Sequence, residues 1–135
     1  MIHIAAAVLI NERQQMLVVR KRGTSTFMQP GGKIDNGERS QDALVRELRE
    51  ELGLVIDPND AFFLGNYKAP AANEPGFTVN CDLYRVETKP EDVATPAAEI
   101  DEIAWISASD SCGLELAPLT HDLVLPLLEQ RYMSQ

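Results

Sequence analysis

Apolar residues near the start of the chain form two short runs separated by polar positions. Residues 4–10 are apolar without interruption and stop at Asn11, a pattern typical of a buried strand. Residues 16–20 form the second run and are predicted to pair with the first as a hairpin, with the turn at 11–14. The chain is therefore expected to begin with two neighbouring strands of a sheet.

The apolar spacing changes over residues 40–52, where leucine or valine recurs every three or four positions. This period predicts a helix, with Ser40 or a neighbour as its N-terminal cap. Gly53 follows the last apolar position and is expected to end the helix. Ahead of the helix, residues 30–32 are a proline and two glycines, which indicates unusual backbone angles or close approach of a ligand.

The middle of the chain returns to strand patterns. Residues 62–64 are predicted to begin a short strand, and 69–76 form a loop rich in proline, alanine and glycine. Residues 77–84 alternate between apolar and polar side chains, as expected for a half-buried strand. A further strand is predicted over 99–106, with Trp105 near its end as a core residue.

The end of the chain predicts one more helix, over residues 116–133. Pro118 lies near its start, and Thr120 is a possible cap. Pro126 would lie inside the helix, so we expect a kink or a late start there.

The composition is that of an ordinary globular domain, 44% hydrophobic and 24% charged over 135 residues. We therefore expect a single domain spanning residues 1–135. No apolar run approaches the roughly 18–20 residues of a membrane span, and the first residues do not resemble a secretory signal. Cys81 and Cys112 belong to no C-x-x-C pair, so free, buried or half-buried thiols in a reducing cytoplasm are expected.

The net charge of −9 bears on the partners that this chain could bind. A negative surface repels the backbone of nucleic acids, and no stripe of lysine and arginine offsets it. The basic residues 20–22 could meet substrate phosphates, but a solvated strand end is the favoured interpretation. Neither histidine has a partner at metal-ligand spacing. These features argue against polymeric nucleic acid and are compatible with a small nucleotide chelated by a cation.

Three carboxylates in the predicted helix carry the candidate chemistry. Glu47, Glu50 and Glu51 are spaced i, i+3 and i+4, which places them on one helix face beside the apolar stripe. Clustered like charges destabilise a helix unless something neutralises them. A divalent cation is the natural candidate, because Mg²⁺ and Mn²⁺ prefer carboxylate oxygens.

The helix lies within a longer motif, since residues 32–54 read G-x5-E-x7-R-E-L-x-E-E-x-G-L. This spacing resembles the signature of the Nudix hydrolases, with every specified position matched. The resemblance implies the Nudix fold, an α/β/α sandwich around a central mixed sheet with a loop-helix-loop catalytic motif. It also implies Mg²⁺-dependent hydrolysis of a nucleoside diphosphate linked to a group X, with Mn²⁺ as a substitute.

The resemblance further implies roles for the motif residues. The implied metal ligands are Glu47, Glu50, Glu51 and the carbonyl of Gly31. Because neighbouring carboxylates raise one another's pKa and a bound cation reverses that effect, we expect activity to rise toward alkaline pH.

Other residues around the helix receive supporting roles from the same resemblance. Arg46 would pair with nearby carboxylates and orient them, and Glu38 would support that network. Lys33, directly after the double glycine, would contact a phosphate.

An additional carboxylate is implied outside the motif. In some Nudix members the general base lies on a strand six residues ahead of a tryptophan, a position that Glu99 holds relative to Trp105. Glu99 is thus a candidate base and metal ligand, and Glu102 is the next candidate. Both could equally be ordinary acids on the face of a strand.

The sequence leaves two alternatives for the substrate, a nucleoside triphosphate and a nucleotide sugar such as ADP-ribose. The compact size resembles MutT-like enzymes that convert a nucleoside triphosphate to a monophosphate and pyrophosphate, and this is the substrate that we expect. Thr120 lies where those enzymes often carry an asparagine for the purine edge, so it is a candidate substrate contact. Pro70, sixteen residues beyond Leu54, instead resembles ADP-ribose pyrophosphatases, so ADP-ribose or another nucleotide sugar is the alternative.

A different class of function is a Nudix domain that binds a nucleotide without hydrolysing it. Silent members usually lose a signature glutamate, whereas here all are present. Many Nudix proteins are dimers, so a homodimer is possible, although no interface is indicated by the sequence.

Overall fold

The computed structural model describes residues 1–128 and consists of a seven-stranded sheet with helical segments packed against it. In chain order the strands are β1 (Ile2–Ile10), β2 (Met16–Lys21), β3 (Phe27–Met28), β4 (Gly31–Lys33), β5 (Phe62–Pro70), β6 (Thr78–Glu87) and β7 (Ile100–Ile106). The helical elements are α1 (Ser40–Leu52), a 3-10 turn (Pro58–Asp60) and a π-helical turn (Leu119–Val124). Within residues 1–128 no helix is long and apolar enough to cross a bilayer.

The sheet is mixed, with one long parallel pair at its centre. The strand order is β3-β2-β1-β6-β5, in which β1 and β6 run parallel over nine residue pairs. The other pairs are antiparallel, including β4 against β1 and β7 against β2. The parallel pair places β1 in the interior of the sheet, which explains why its sequence is an uninterrupted apolar run.

Strand β1 supplies side chains to two separate cores, one on each face of the sheet. Ala5, Ala7 and Leu9 pack with the buried face of α1. Ala6, Val8 and Ile10 pack with the C-terminal helical segment, which includes Leu119, Val124 and Leu128. The two cores make the domain a three-layer α/β/α sandwich, as the sequence predicts.

Helix α1 begins and ends where the apolar period predicts. Gly53 adopts the left-handed conformation, with φ of 69°, and its N–H bonds to the Arg49 carbonyl. Ser40 does not cap the helix, because it is the first helical residue and its hydroxyl bonds to that of Tyr84. Arg39 occupies the capping position, and its side chain makes no capping hydrogen bond.

The C-terminal helical segment differs from the regular helix predicted over 116–133. Leu119–Val124 form a wide π-helical turn, in which the Leu125 N–H bonds to the Thr120 carbonyl five residues earlier. The turn lies directly before Pro126, which has no N–H to donate to a regular helical ladder. The irregularity expected near Pro126 is therefore present, and it takes the form of a π-helical turn in place of regular α-helix.

Thr120 is not the cap of this segment. Pro118 holds the N-terminal position, and Thr120 lies inside the turn with its side chain completely buried. Residues 129–133 of the predicted helix lie outside the described residues.

Three boundaries in the second half of the chain also differ from prediction. The strand predicted to begin at 62–64 continues to Pro70, because β5 pairs with β6 along its length. Phe77 lies outside β6 and is exposed, so the alternation with buried side chains starts later. Strand β7 starts at Ile100, which leaves Glu99 in the preceding loop. Of the two free cysteines, Cys81 is buried and Cys112 is exposed.

Candidate functional site

A cleft of about 360 Å³ brings together residues from both ends of the chain. Its charged lining consists of Lys21, Lys33, Glu47, Glu74 and Glu99. Its apolar lining includes Ile4, Val79, Ala117 and Leu119. Gly31, Gly32, Pro70 and Thr120 also line it. A cleft of this volume with mixed lining is typical of a small-molecule site.

The double glycine brings the backbone close to two neighbours. A Cβ on Gly31, whose φ is +144°, would lie 2.1 Å from the Ala5 carbonyl oxygen across the β1–β4 pair. A Cβ on Gly32 would lie 2.6 Å from the carboxyl carbon of Glu47. Glycine is therefore required at 31 by the backbone of β1, whereas a side chain at 32 would displace the Glu47 carboxylate.

Arg46 holds the loop before α1 and the carboxylates on α1 in one network. Its guanidinium donates to both Glu38 oxygens at 2.9 and 3.0 Å, to Glu47 at 2.8 Å and to Glu50 at 3.5 Å. It also donates to the Lys33 carbonyl at 3.1 Å. The hydrogen bonds from Arg46 lower the pKa of Glu38, and those to Glu38 raise the pKa of Arg46. The predicted network of Arg46 and Glu38 is thus present in the structure.

Glu51 has a different environment from the other signature carboxylates. Its side chain is buried, and its Oε1 accepts a hydrogen bond from the Gly31 N–H at 3.1 Å. Burial raises the pKa of Glu51 to about 8, with the negative charges of Glu47 and Glu99 as smaller contributions. Burial also raises the pKa of Glu47. Glu51 therefore requires a proton or a nearby cation to compensate its charge.

The carboxylate and carbonyl oxygens of this region fit a hard divalent cation by their chemistry. Carboxylate and carbonyl oxygens are the ligands that such cations prefer, and Glu51, Glu47 and the Gly31 backbone are connected through α1 and β4. No three acidic, histidine or cysteine side chains within residues 1–128 are already arranged around a metal position. Arg46 engages Glu47 and exposed Glu50, so cation binding requires those side chains to exchange partners.

The two candidate acids outside the motif occupy different environments. Glu99 lines the cleft, and its Oε1 lies 3.5 Å from the Lys21 ammonium nitrogen. Glu102 does not line the cleft and is paired with Arg20 at 3.1 Å. Geometry therefore favours Glu99 as the additional site residue.

Lys21 lines the cleft, whereas the sequence favours a solvated strand end for the basic residues 20–22. It lines the cleft beside Glu99, whereas Arg20 pairs with Asp101 and Glu102. A strand directs consecutive side chains to opposite faces, and this alternation was the signal that could have separated Lys21 from Arg20. Trp105 packs partly buried against the core on the α1 face, as expected for a core residue.

Gln29 is a second cleft residue without a role in the sequence reading. Its side chain is buried, and its Nε2 donates to the Ala7 carbonyl at 2.8 Å. Its Oε1 and the Oγ1 of Thr120 have no hydrogen-bond partner within residues 1–128. Gln29 directly precedes the proline and the two glycines, a segment whose pattern indicates only backbone conformation. The sequence pattern therefore does not predict that Gln29 lines the cleft.

The chain matches a model of the family described as the NUDIX domain over residues 1–128. It is also similar to the MutT NUDIX hydrolase of Burkholderia pseudomallei, with a TM-score of 0.73 at 16% identity over 97% of each chain. That structural likeness concerns the fold.

Three relatives of known name share sequence with the chain. An 8-oxo-dGTP diphosphatase of Haemophilus influenzae is 41% identical over 58 residues, covering 40% of this chain and 43% of that protein. An RNA pyrophosphohydrolase of Marinomonas sp. is 41% identical over 58 residues, covering 43% and 35%. An ADP-ribose pyrophosphatase of Methanocaldococcus jannaschii is 30% identical over 109 residues, covering 74% and 63%. The chain thus spans less than two thirds of each of these relatives.

Proposed function

Because the chain belongs to the NUDIX family, we propose that it is a divalent-metal-dependent hydrolase of a nucleoside diphosphate linked to a group X. The observation that carries this proposal is the arrangement of the signature carboxylates around the double glycine. Buried Glu51 bonds to Gly31, and Glu47 reaches Gly32 beside a cleft with room for a nucleotide. The proposed unit is the single domain spanning residues 1–135.

The proposed metal ligands are Glu47, Glu50, Glu51, the Gly31 carbonyl and, as an additional ligand or general base, Glu99. When bound, Mg²⁺ or Mn²⁺ would neutralise pyrophosphate oxygens and acidify a water molecule. Arg46 fixes the rotamer of Glu47 and ties it to Glu38. The network holds the loop before α1 against the helix, and cation binding would exchange the bonds from Arg46 to Glu47 and Glu50 for bonds to the metal.

The two lysines of the charged lining are the proposed substrate contacts. Lys33 and Lys21 offer ammonium groups in the cleft, where they would contact phosphate oxygens. Lys21 is paired with Glu99 at 3.5 Å, so phosphate binding would free the Glu99 carboxylate to accept a proton from water.

A nucleoside triphosphate is the proposed substrate, with the monophosphate and pyrophosphate as products. The likeness to a relative named 8-oxo-dGTP diphosphatase supports this choice, as does the compact cleft. ADP-ribose is the second candidate, because Pro70 lines the cleft and a relative named ADP-ribose pyrophosphatase matches over 74% of this chain. We propose a cytoplasmic location, and a homodimer is open to measurement by size-exclusion chromatography.

Hydrolysis of a substrate panel with Mg²⁺ or Mn²⁺ tests the proposal. The panel contains unmodified and oxidised nucleoside triphosphates, ADP-ribose, dinucleoside polyphosphates, nucleotide sugars and a 5′-triphosphorylated RNA oligonucleotide. Chromatography of the products identifies the bond that is broken. A nucleotide-sensing domain without catalysis would bind a panel member and leave it intact.

Glu51→Gln separates the enzyme from the sensor. The variant is expected to lose roughly 10²-fold or more in kcat, because it removes one proposed ligand of the cation that would neutralise the phosphate oxygens in the transition state. Glu12→Gln is the matched control, since Glu12 is exposed in the β1–β2 turn far along the chain from the motif. A Glu51→Gln variant that hydrolyses at the wild-type rate would show that the metal site is elsewhere.

A further inference from the structure

We propose that the turn over residues 97–100 positions Glu99 for catalysis, with Ala98 and Arg22 as its positioning residues. This inference rests on the proposed function, since it explains how the additional carboxylate is directed into the cleft. Glu99 lines the cleft although its side chain is 59% exposed. An exposed glutamate has several accessible rotamers, so the direction in which it points depends first on the backbone that carries it.

The backbone of this turn is unusual at Ala98. The Ile100 N–H donates to the Ala97 carbonyl at 3.0 Å, which closes a four-residue turn with Ala98 and Glu99 at its centre. The φ of Ala98 is +54°, whereas the φ of Glu99 is not positive. A positive φ at the first central position alone is the pattern of a type II′ turn, where glycine is strongly preferred. Alanine at this position carries backbone strain, which persists only where the surrounding structure imposes the conformation.

The end of α1 fixes the segment that leads into the turn. The Thr95 N–H donates to the Leu52 carbonyl at 2.9 Å. The Ala97 N–H donates to the Glu51 carbonyl, also at 2.9 Å. Carbonyls in the last turn of a helix have no partner inside the helix, so these two bonds complete the C-terminal end of α1. The strained residue therefore directly follows a residue that is bonded to the backbone of a signature glutamate.

Arg22 holds the turn from the other side. Its backbone N–H donates to the Glu99 carbonyl at 2.8 Å, and its guanidinium donates to the Ala98 carbonyl at 3.3 Å. Because Ala97 is bonded to α1, relaxation of Ala98 to a negative φ would swing the carbonyl groups that follow it away from Arg22. The two hydrogen bonds from Arg22 thus oppose that relaxation and keep the backbone of Glu99 in place.

The neighbouring cations Lys21 and Arg22 therefore have different roles. Lys21 lines the cleft and approaches the Glu99 carboxylate at 3.5 Å. The Arg22 side chain is exposed, bonds to a backbone carbonyl and does not line the cleft. Removal of a phosphate contact would raise KM, whereas removal of a positioning contact would lower kcat and leave KM little changed.

Ala98→Val tests the turn, because a β-branched side chain strongly disfavours a positive φ. We expect roughly 10²-fold lower kcat with little change in KM, since a displacement of about 1 Å in a reacting group costs that much. Ala98→Gly removes the strain without changing the turn and should keep the wild-type kcat. Gln14→Val is the matched control, because Gln14 also has a positive φ, 61°, and lies between β1 and β2. It should lower the denaturation midpoint and leave kcat unchanged.

The Glu99→Gln background separates positioning from a general loss of structure. If Ala98 acts through the Glu99 carboxylate, adding Ala98→Val to Glu99→Gln should change kcat by less than about twofold, because the two substitutions remove the same contribution. An equal loss of kcat in both backgrounds would overturn the proposal. Wild-type kcat in Ala98→Val would overturn it as well.

Arg22→Ala is a second variant that leaves the sequence of the turn intact. It is expected to lower kcat roughly twofold to fivefold, the contribution of one exposed hydrogen bond, and to have no effect in the Glu99→Gln background. A raised KM with unchanged kcat would instead assign Arg22 to a substrate phosphate and would overturn its positioning role.

Amide hydrogen exchange measured by NMR provides a readout that is independent of turnover. In Ala98→Val the Arg22 amide is expected to lose protection together with its bond to the Glu99 carbonyl, while the Ala97 amide, held by α1, stays protected. Unchanged protection at Arg22 would overturn the proposal. If no substrate is hydrolysed, the proposed function fails and the exchange measurement still tests the turn. If Glu99→Gln hydrolyses at the wild-type rate, the positioning role is overturned while the hydrolase assignment stands.

Discussion

The charged lining and the apolar lining of the cleft differ in whether nearby polar side-chain atoms have hydrogen-bond partners. Around the charged lining, Arg46 donates to Glu38, Glu47 and Glu50, so the carboxylates are held by partners from the protein. Beside the apolar lining, Gln29 Oε1 and Thr120 Oγ1 lack partners within residues 1–128. The carboxylates around the charged lining thus have partners within the protein, whereas these two neutral atoms have none within residues 1–128.

The contrast follows from the energies of the groups concerned. An unpaired buried carboxylate is far more costly than an unpaired neutral amide or hydroxyl, and burial accordingly raises the pKa of Glu51, whereas the more exposed Glu38 and Glu47 pair with Arg46. The neutral region tolerates two unpaired atoms at a modest loss of stability. We therefore expect changes to the charged lining to alter the rate strongly and changes to the apolar lining to alter selectivity.

The largest predicted effect separates Glu99 from Glu102. Glu99→Gln is expected to reduce kcat by roughly 10²- to 10⁴-fold if Glu99 acts as the general base. Glu102→Gln is the matched control, because Glu102 pairs with Arg20 and does not line the cleft. Steady-state kinetics at saturating Mg²⁺ measures both variants. Equal losses in the two would remove Glu99 from the charged lining as a catalytic group.

Substitution of Gly31 is predicted to lower stability, whereas substitution of Gly32 is predicted to lower activity. Gly31→Ala should destabilise the protein by about 3 kcal/mol or more, because its Cβ meets the β1 backbone and its φ is +144°. Gly32→Ala should retain more stability and lose activity instead, since its Cβ meets only the flexible carboxylate of Glu47. Urea denaturation together with rate measurements distinguishes them. The reverse order of stabilities would contradict the assigned contacts.

The next effect concerns the stability of the metal-free protein against pH. Folding raises the pKa of Glu51 from 4.5 to about 8, so the folded state holds more protons than the unfolded state between those values. The contribution of this group to the free energy of unfolding is fully present below pH 4.5 and is lost as pH rises through 8. Denaturation midpoints should fall over this window, and Glu51→Gln should flatten the dependence.

The same titration predicts the response to metal and the pH profile of activity. Mg²⁺ should restore stability most at the alkaline end, because it would supply the compensating charge that the proton supplies at acid pH. Activity should rise from pH 6 to 9 as Glu51 loses its proton. Calorimetric scans with and without Mg²⁺ and a rate profile measure these effects. A rate that falls steadily over that range would contradict the role of Glu51.

The smallest predicted effect comes from exchanging the cation of the network. Arg46→Lys preserves the charge but loses the two-pronged contact to Glu38 and the simultaneous contact to Glu47. We expect about tenfold lower kcat/KM and about 1 kcal/mol lower stability, a value reduced by the partial exposure of the pair. Arg39→Lys, which alters an exposed pair with Asp42, is the matched control and should change neither quantity.

Local pattern was sufficient for much of the fold. The period of leucines gave α1 its observed bounds, and the apolar run gave β1 and its partner. The π-helical turn before Pro126 and the exposure of Phe77 were not predictable in the same way. Pro126 predicts an irregularity without fixing its form, and the exposure of Phe77 depends on which distant segment packs against it, information that hydrophobic periodicity does not contain.

The sequence by itself determined the family, the helix α1 and the three carboxylates that it carries, because helix periodicity and motif spacing are properties of neighbouring residues. Only the tertiary structure decided that Lys21 meets Glu99, that Glu51 is buried against Gly31, and that Gln29 shares a cleft with Thr120. Strand register and burial bring these residues together across the chain. Since burial sets both pKa values and unmet hydrogen bonds, the chemistry of the cleft emerges only when the sheet has formed.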